Sequence, residues 1–371
     1  MTMTIAPVSP SALPPRPAPS SPLPGTGKAG RGRAVVDDQI PFIREGLREL
    51  VDEVVYLPGH AIGPADVAEA DILIVRTRTR CDRRLLEGSR VRLVVTATIG
   101  YDHLDTAYLD TAGIRWANCP GCNASSVRQY VHNALLALGL LKPSLLVGIV
   151  GVGHVGSLVA RDLQAAGMTV LPCDPLQQAA GAPPPTGTAW HSMEALCHCD
   201  IISFHPDLTY TGAHPSFHLA DAAFFQSLRR RPVVINTSRG EVVDEEALLQ
   251  ALRSGLVGGA VIDTWEHEPH INRALLEAVS LGTPHIAGYS ADGKANAARM
   301  ALQAVAQFVG IPLRTAIHPP ALPAHFAYGP FATDGPLRLY DPRIDSLRLR
   351  RAPEAFESLR GNYPLRRENG E

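Results

Sequence analysis

Three residues of complementary chemistry stand far apart in the chain but in a fixed order. Arg239 lies in Asn-Thr-Ser-Arg-Gly, Glu268 precedes a proline, and His285 precedes Ile-Ala-Gly-Tyr. A guanidinium can hold a substrate carboxylate with two hydrogen bonds. An imidazole can move a proton near neutral pH, and a carboxylate beside it fixes its tautomer. The trio therefore predicts removal of a hydroxyl proton, the step that accompanies hydride transfer from a hydroxy acid.

A glycine-rich segment ahead of the trio predicts a nucleotide site. Residues 145–150 form an apolar run typical of a buried parallel strand, and Gly-x-Gly-x-x-Gly follows at once. In such a loop the first glycine turns the chain, the second admits a phosphate and the third lets helix and strand pack. Backbone N–H groups and a helix N-terminus then face a pyrophosphate. The loop residues predicted to contact the cofactor are Gly151, Gly153, His154, Val155 and Gly156.

Asp174 identifies the nucleotide that the loop would bind. It follows Gly156 by eighteen residues, at the end of the next predicted strand. A carboxylate there can accept both hydrogen bonds from an adenosine ribose. No Arg or Lys follows for many residues, so a ribose 2′-phosphate would meet an uncompensated negative charge. The pattern favours NAD over NADP, with a solvated turn residue before Pro175 as the structural alternative.

The composition argues against several other classes of protein. The 371 residues have a formal net charge of −2, which provides no long-range field to attract nucleic acid or an anionic membrane. No apolar run approaches the roughly 20 residues that cross a bilayer. Six cysteines without regular spacing fit a reducing compartment, so we expect a cytoplasmic protein.

Two segments rich in cysteine and histidine could in principle bind a metal or act in redox chemistry. Cys119 and Cys122 have the spacing of a redox pair but lack thioredoxin-like surroundings. His191, Cys197 and Cys199 lie at the end of one short predicted helix without a second ligand cluster. We interpret both segments as structural and predict no metal.

The alternation of short apolar runs with helical segments predicts an α/β protein with two doubly wound parallel-sheet domains. The predicted strands are 34–36, 54–57, 72–75, 93–96 and 114–117, then 145–150, 169–171, 201–204, 233–236, 260–262 and 285–286. Helices are predicted at 124–141, from about 154, and at 291–309, with the last returning the chain to the first domain.

The domain organisation follows from this order. We predict a disordered Pro-rich extension over 1–33, where few large apolar side chains could build a core. A discontinuous substrate-binding domain would comprise 34–117 and 286–312, an NAD-binding Rossmann domain 118–285, and a C-terminal segment 313–371.

The chain resembles the D-isomer-specific 2-hydroxyacid dehydrogenases. The nucleotide loop, the segment 236–240 and the Glu268–His285 pair carry this resemblance. Within that family it looks most like the branch that oxidises 4-phosphoerythronate with NAD in pyridoxal phosphate biosynthesis. The narrower match covers about residues 34–312 and rests on segments 36–41, 75–79, 96–103, 120–124, 218–221 and 285–289.

The resemblance implies roles for individual residues. Arg239, Glu268 and His285 would be catalytic, with His285 as the proton donor or acceptor. Substrate would be met by Thr77, Thr98 and Tyr289, with Arg76 among the candidate cations for its phosphate. NAD would also be met by Asp174, Pro206, Thr237, Ser238, Asp263 and Gly288. The implied fold pairs the Rossmann domain with a flavodoxin-like substrate domain and a short C-terminal dimerisation segment.

The C-terminal residues are expected to matter beyond dimerisation. They contain nine arginines and no lysine after residue 311. As a hypothesis, one of these arginines would reach the substrate phosphate across the interface of a homodimer, since a phosphorylated substrate needs cations away from the hydride.

Two positions depart from the sequences that the chain resembles. His267 stands where glycine is usual, beside Glu268, and Pro206 stands where a threonine usually touches the cofactor.

Two other functions stay open. One alternative is another D-2-hydroxyacid dehydrogenase, of the phosphoglycerate or glycerate type. The other is an NAD-sensing corepressor on the same scaffold, which the absence of a basic DNA-binding element disfavours.

Overall fold

A computed structural model describes residues 31–323, 325–331, 335–364 and 366–368. Apart from residues 31–33, the predicted disordered extension lies outside them. Arg33 begins the first strand, one residue earlier than predicted. No helix among the described residues is long and apolar enough to cross a membrane.

The first sheet is fully parallel and has five strands. These are β1 (Arg33–Asp37), β2 (Glu53–Leu57), β3 (Ile72–Val75), β4 (Leu93–Thr96) and β5 (Arg115–Ala117). Their spatial order is β2-β1-β3-β4-β5, so the connection direction reverses between β1 and β3. β3 and β4 are buried along their whole length, which explains their continuous apolar sequences.

The second sheet repeats this winding with six parallel strands. These are β6 (Leu146–Val150), β7 (Thr169–Cys173), β8 (Ile201–Phe204), β9 (Val233–Asn236), β10 (Gly259–Ile262) and β11 (Leu281–Gly282). The order is β11-β10-β9-β8-β6-β7, with the reversal between β6 and β8. In sheets of this kind, ligands bind beyond the carboxyl ends of the strands at the reversal. The molecule therefore offers two such crevices.

Helices cover both faces of each sheet. They are α1 (Arg44–Leu50), α2 (Pro64–Val67), α3 (Arg83–Leu86), α4 (Thr106–Thr111), α5 (Ala124–Ala137), α6 (His154–Ala165), α7 (Pro175–Ala179), α8 (Met193–Leu196), α9 (Ala222–Ser227), α10 (Glu245–Ser254), α11 (Arg273–Ala278), α12 (Ala291–Val309), α13 (Gly335–Leu339), α14 (Pro342–Arg351) and α15 (Phe356–Gly361). Each sheet has one buried apolar cluster on either side.

Helix α12 returns the chain to the first sheet, as its apolar pattern predicts. The Ser290 side chain accepts the N–H of Gly293 at its start, and Gly310 ends it with a φ of 73°. Its small residues Ala295, Ala298 and Ala301 belong to the cluster that packs on the first sheet. Its N-terminus lies directly after the His285 segment, so the two sheets meet at the predicted chemistry.

Two predicted elements differ in the structure. The last strand of the second sheet is β11, at 281–282, and His285 and Ile286 lie in the loop after it. Their N–H groups bond to Asp263 instead of a strand partner. Helix α5 ends at Ala137, because Gly139 adopts a φ of 66° and turns the chain.

Candidate active site

His285 and Glu268 form a hydrogen-bonded pair at the carboxyl end of the second sheet. Nδ1 of His285 lies 2.8 Å from Oε2 and 3.0 Å from Oε1 of Glu268. An ionised carboxylate can only accept, so Nδ1 carries the proton and Nε2 is left to exchange a proton with a ligand. Burial alone would raise the pKa of Glu268, but the hydrogen bond and charge of His285, with Arg360 nearby, hold it below its usual value.

The loop that carries His285, residues 285–290, is called here the histidine loop. The carboxylate of Asp263 fixes its start by accepting the N–H of Ile286 at 2.8 Å and of Ala287 at 2.9 Å. Thr283 donates its hydroxyl to the same carboxylate at 2.6 Å. His285 has a φ of 56°, a conformation that costs a non-glycine residue of order 1–3 kcal/mol and persists where its surroundings enforce it. The resemblance implies a contact between Asp263 and NAD, which stays a prediction; in the structure the buried Asp263 carboxylate holds this loop.

Arg239 lies in the crevice between the two sheets. A Cβ on Gly100, in the loop after β4, would come within 2.7 Å of the Arg239 Nη2 atom. Nη1 donates to the carbonyl of Ser238 at 2.9 Å, and Asn236 Nδ2 donates to the carbonyl of Arg239 at 2.8 Å. An exposed carboxylate, Asp102, lies 3.7 Å from Nη2. The guanidinium is thus held by its own strand end and is open to an anionic ligand.

The glycine-rich loop joins β6 to α6. Gly151 has a φ of 78°, and a Cβ there would lie 2.4 Å from the backbone nitrogen of Pro206. A Cβ on Gly156 would lie 2.0 Å from the carbonyl oxygen of Gly151. A Cβ on Gly153 would meet no atom within 4 Å. Packing therefore requires two of the glycines, while the third leaves open space at the N-terminus of α6, where a pyrophosphate fits.

Asp174 lies beside this loop. Its Oδ2 accepts the N–H of Val152 at 2.8 Å. Its Oδ1 accepts the N–H groups of Leu176 and Gln177, at 3.1 and 3.0 Å, and so caps α7. The side chain stands where the ribose is predicted, and it also helps to hold the glycine-rich loop in shape.

Thr237 and Ser238 follow β9 and meet a residue that the sequence analysis missed. Nδ1 of His205 lies 3.1 Å from the Thr237 hydroxyl, and Nε2 lies 2.9 Å from the hydroxyl of Ser203. Burial lowers the pKa of His205 to about 3, so the ring is neutral and can only exchange hydrogen bonds. Its position just after β8, at the reversal of the sheet, was the available signal. Ser238 donates its hydroxyl to Asn236 Oδ1 at 3.2 Å.

The remaining predicted contacts lie on the facing loops. The Thr98 hydroxyl donates to the carbonyl of Gly100 at 2.8 Å, which places Thr98 in the segment that packs on Arg239. Thr77 is exposed in the turn after β3. Gly288 packs so tightly on Asn123 that a Cβ would lie 2.1 Å from Nδ2. His154 and Val155 begin α6, which leaves their backbone at the phosphate end of that helix.

Comparisons with known proteins agree with this geometry. Residues 140–287 match the D-isomer specific 2-hydroxyacid dehydrogenase, NAD binding domain. The chain is 50% identical to the erythronate-4-phosphate dehydrogenase of Bacteroides thetaiotaomicron over 342 residues, which is 91% of this chain and 97% of that protein. It is 41% identical to the enzyme of the same name from Porphyromonas gingivalis, over 91% of this chain and 93% of that one.

The chain belongs to the erythronate-4-phosphate dehydrogenase family. Among solved structures, it resembles the D-lactate dehydrogenase of Aquifex aeolicus complexed with NAD and lactic acid. The TM-score is 0.58 at 23% identity, over 75% of this chain and 95% of that chain. This likeness shows the two-sheet fold, and the predicted α/β class is confirmed.

The family membership makes the protein an NAD-dependent oxidoreductase, and the described residues fit NAD. The open backbone at Gly153 and the start of the 12-residue helix α6 suit the pyrophosphate. When bound, NAD supplies the acceptor for a hydride. Among the described residues, no group of three or more His, Cys, Asp or Glu is arranged to hold a metal.

Arg360 is a site residue of this dehydrogenase that the sequence analysis did not identify. It comes from α15, and its Nη1 lies 3.4 Å from Glu268 Oε2 while its Nε lies 3.3 Å from the hydroxyl of Tyr289. The hypothesis that a C-terminal arginine reaches the substrate phosphate across a dimer interface stays a prediction. Arg360 reaches the catalytic pair within its own chain, because α14 and α15 pack on the second sheet through Leu349 and Phe356.

Arg366 is a second C-terminal arginine that stabilises the site, through the loop that carries His285. Its fully buried guanidinium donates to the carbonyls of Ile286 at 3.0 Å and Ala287 at 2.7 Å, in the histidine loop. It stacks on Tyr340, with its central carbon 3.8 Å from the ring centroid. The C-terminal residues therefore hold the dehydrogenase site together within one chain.

The six cysteines are free and buried. Burial raises the pKa of three of these thiols, Cys81, Cys122 and Cys199, to about 12. Thiols in this state are poor nucleophiles and poor metal ligands at neutral pH. Their environment agrees with a structural interpretation of both cysteine-containing segments.

Proposed function

We propose that this protein oxidises 4-phospho-D-erythronate at C2 to 2-oxo-3-hydroxy-4-phosphobutanoate, with NAD as the hydride acceptor, in pyridoxal phosphate biosynthesis. The observation that carries the proposal is the His285–Glu268 pair, in a chain that is 50% identical to an erythronate-4-phosphate dehydrogenase over 91% of its length. Oxidising a secondary alcohol removes a proton from oxygen and a hydride from carbon, and the site has a place for each.

The residues of the site divide the work of this reaction. Arg239 holds the C1 carboxylate of the substrate with its guanidinium and polarises the C2 oxygen. Nε2 of His285 takes the hydroxyl proton while the C2 hydride leaves. Glu268 keeps Nδ1 protonated and stabilises the imidazolium that forms. Thr98 and Tyr289 contact the substrate from the two sides of the crevice.

The direct test is turnover. The purified full chain should convert 4-phospho-D-erythronate and NAD to the 2-oxo product, measured by NADH absorbance and by mass, with and without a 2-oxo acid acceptor. D-glycerate, 3-phospho-D-glycerate and D-lactate serve as comparison substrates. A kcat/KM that is higher for any of these than for 4-phospho-D-erythronate would assign the chain to another branch of the family.

The proposal extends to organisation. The segments 34–117 with 286–312, and 118–285, act as substrate-binding and NAD-binding domains, and the C-terminal segment joins two copies in a homodimer. The compartment is the cytoplasm, which agrees with six cysteines that form no disulfide. Light scattering at micromolar concentration tests the dimer, and a monomer mass for an active enzyme would contradict it.

A further inference from the structure

Most cations around the proposed site are already bound to an anion. Arg78 pairs with Glu357, and Arg360 pairs with Glu268. Arg76 is held by Asp37, whose side chain is fully buried. Arg239 is reserved for the carboxylate. These paired cations can still contribute charge, but a substrate phosphate also needs at least one cation that the fold leaves without such a partner.

Lys294 is that cation. It lies in the first turns of α12, with Nζ 5.2 Å from the centroid of the Tyr289 ring. The ionisable group that acts on it is another cation, Arg76, and no carboxylate among the described residues pairs with it. Burial, with the neighbouring Arg76 guanidinium, lowers the pKa of Lys294 to about 8. The chain has three lysines against 31 arginines, and one of them stands here.

Tyr289 links Lys294 to the reacting centre. Its ring lies under Lys294, its hydroxyl bonds Arg360, and Arg360 in turn contacts the carboxylate that holds His285. A ligand whose hydroxyl-bearing carbon meets His285 would therefore extend past Tyr289 toward the amine. A four-carbon chain is short enough for its far end to remain near this ring.

Arg76 belongs to the first sheet and lies near enough to Lys294 for its charge to act on that amine. It follows β3, at the reversal between β1 and β3 where ligands bind in sheets of this kind. Asp37 holds Nε at 3.0 Å and Nη2 at 3.4 Å, which fixes the guanidinium. The first sheet thus supplies a fixed cation and α12 supplies an unpaired one.

We propose that Lys294, beside Tyr289 on α12, and Arg76, after β3 of the first sheet, form the subsite for the terminal phosphate of the substrate. The inference rests on the proposed function, because it assigns the phosphate of that substrate. A bound phosphate dianion would reduce the repulsion between the two cations and would give the Lys294 amine an anionic partner.

The experiment compares 4-phospho-D-erythronate with D-erythronate in the full-length enzyme. Lys294→Met should lower the ratio of their kcat/KM values about 10- to 100-fold, the effect of a lost charged hydrogen bond. Lys294→Arg should restore most of the ratio. The matched control is Lys142→Met, an exposed lysine between α5 and β6, which should leave the ratio unchanged. Lys294→Met should also raise the Tm, because a buried unpaired cation is removed.

Two results would overturn the assignment. Equal losses on both substrates would make Lys294 a general support of the fold or of the carbon chain. A loss in Arg78→Met with none in Lys294→Met would move the phosphate to the neighbouring cavity of about 360 Å³, lined by His60, Arg76 and Arg78.

Failure of the proposed function is separable from failure of this subsite. If the wild type does not oxidise 4-phospho-D-erythronate, inorganic phosphate replaces it as the probe. Phosphate should still raise the Tm of the wild type in proportion to its binding, and should do so several-fold less in Lys294→Met. Equal shifts in the two proteins would refute the subsite whatever the substrate is.

Discussion

The glycine-rich loop and the histidine loop stand at the carboxyl ends of the same sheet but are built in opposite ways. The first is shaped by missing side chains, since Gly151 and Gly156 have no room for a Cβ. The second is shaped by side chains from elsewhere, since Asp263 and Arg366 hold its N–H and carbonyl groups. A loop that binds backbone to phosphate needs close approach, whereas a loop that aims an imidazole needs rigid support. Substitutions in the two loops should therefore affect catalysis, NAD affinity and stability differently.

His285→Gln should give the largest difference between the effect on catalysis and the effect on NAD binding. The amide cannot take the hydroxyl proton, so kcat should fall by about 10²- to 10⁴-fold. The glycine-rich loop is untouched, so the Kd for NAD, measured by quenching of protein fluorescence, should stay within a factor of about three. A matching loss of NAD affinity would show that the two loops are not independent.

Removing the remote support should come next. Arg366→Met removes one donor from each of the carbonyls of Ile286 and Ala287, together with the stacking on Tyr340, which should cost about 3 kcal/mol of unfolding free energy and reduce kcat. Urea unfolding and steady-state assays check both effects. The control Arg351→Met, at the exposed end of α14, should change neither.

The glycine-rich loop should respond to added volume instead. Gly156→Ala places a Cβ against the Gly151 carbonyl and should cost about 2–3 kcal/mol, together with NAD affinity. Gly153→Ala, where space is open, should fold normally and lose NAD affinity alone. Equal stabilities of the two variants, by thermal unfolding, would contradict the division between packing and ligand glycines.

The free energy of unfolding should depend on pH through Glu245, a buried carboxyl group near Glu268. Glu245 accepts the N–H of Glu266 at 2.8 Å, and burial, with the nearby charges of Glu266 and Glu268, raises its pKa to about 8. The raised pKa means that the fold prefers the protonated form. The stability it contributes is complete below pH 4.5 and is lost as the pH rises through about 8. Glu245→Gln should therefore be more stable than the wild type at pH 9, by about 1–3 kcal/mol, and similar near pH 4.5, as measured by urea unfolding.

The smallest effect is expected at His267. This residue has a φ of 58°, in the region that favours glycine, and its exposed ring lies 3.8 Å from Glu266. The unusual histidine beside Glu268 thus occupies a glycine conformation. His267→Gly should stabilise the fold by about 0.5–1 kcal/mol, after the greater freedom of glycine in the unfolded chain is counted. A loss of activity in this variant would indicate that His267 influences the neighbouring Glu268 and, through it, His285.

The same contrast explains what the sequence could predict. The nucleotide loop, the boundaries of α12 and nearly all strands follow from local patterns, because glycine spacing and apolar runs act over a few residues. The pairing of His285 with Glu268 also followed, since strand ends of a parallel sheet share one edge. Arg360, Arg366 and Lys294 could not be assigned in this way. Their roles depend on contacts across 70 or more positions of sequence for the two arginines, and on burial for the lysine.

The position of Arg360 and Arg366 in the chain has a consequence for the order of synthesis. A ribosome completes both sheets, the glycine-rich loop and His285 before it adds either arginine. A nascent chain can therefore form its NAD crevice while the histidine loop still lacks its clamp and Glu268 lacks its second cation. The site is complete only after α15 and Arg366, the last of its parts to be synthesised, have been added to the chain.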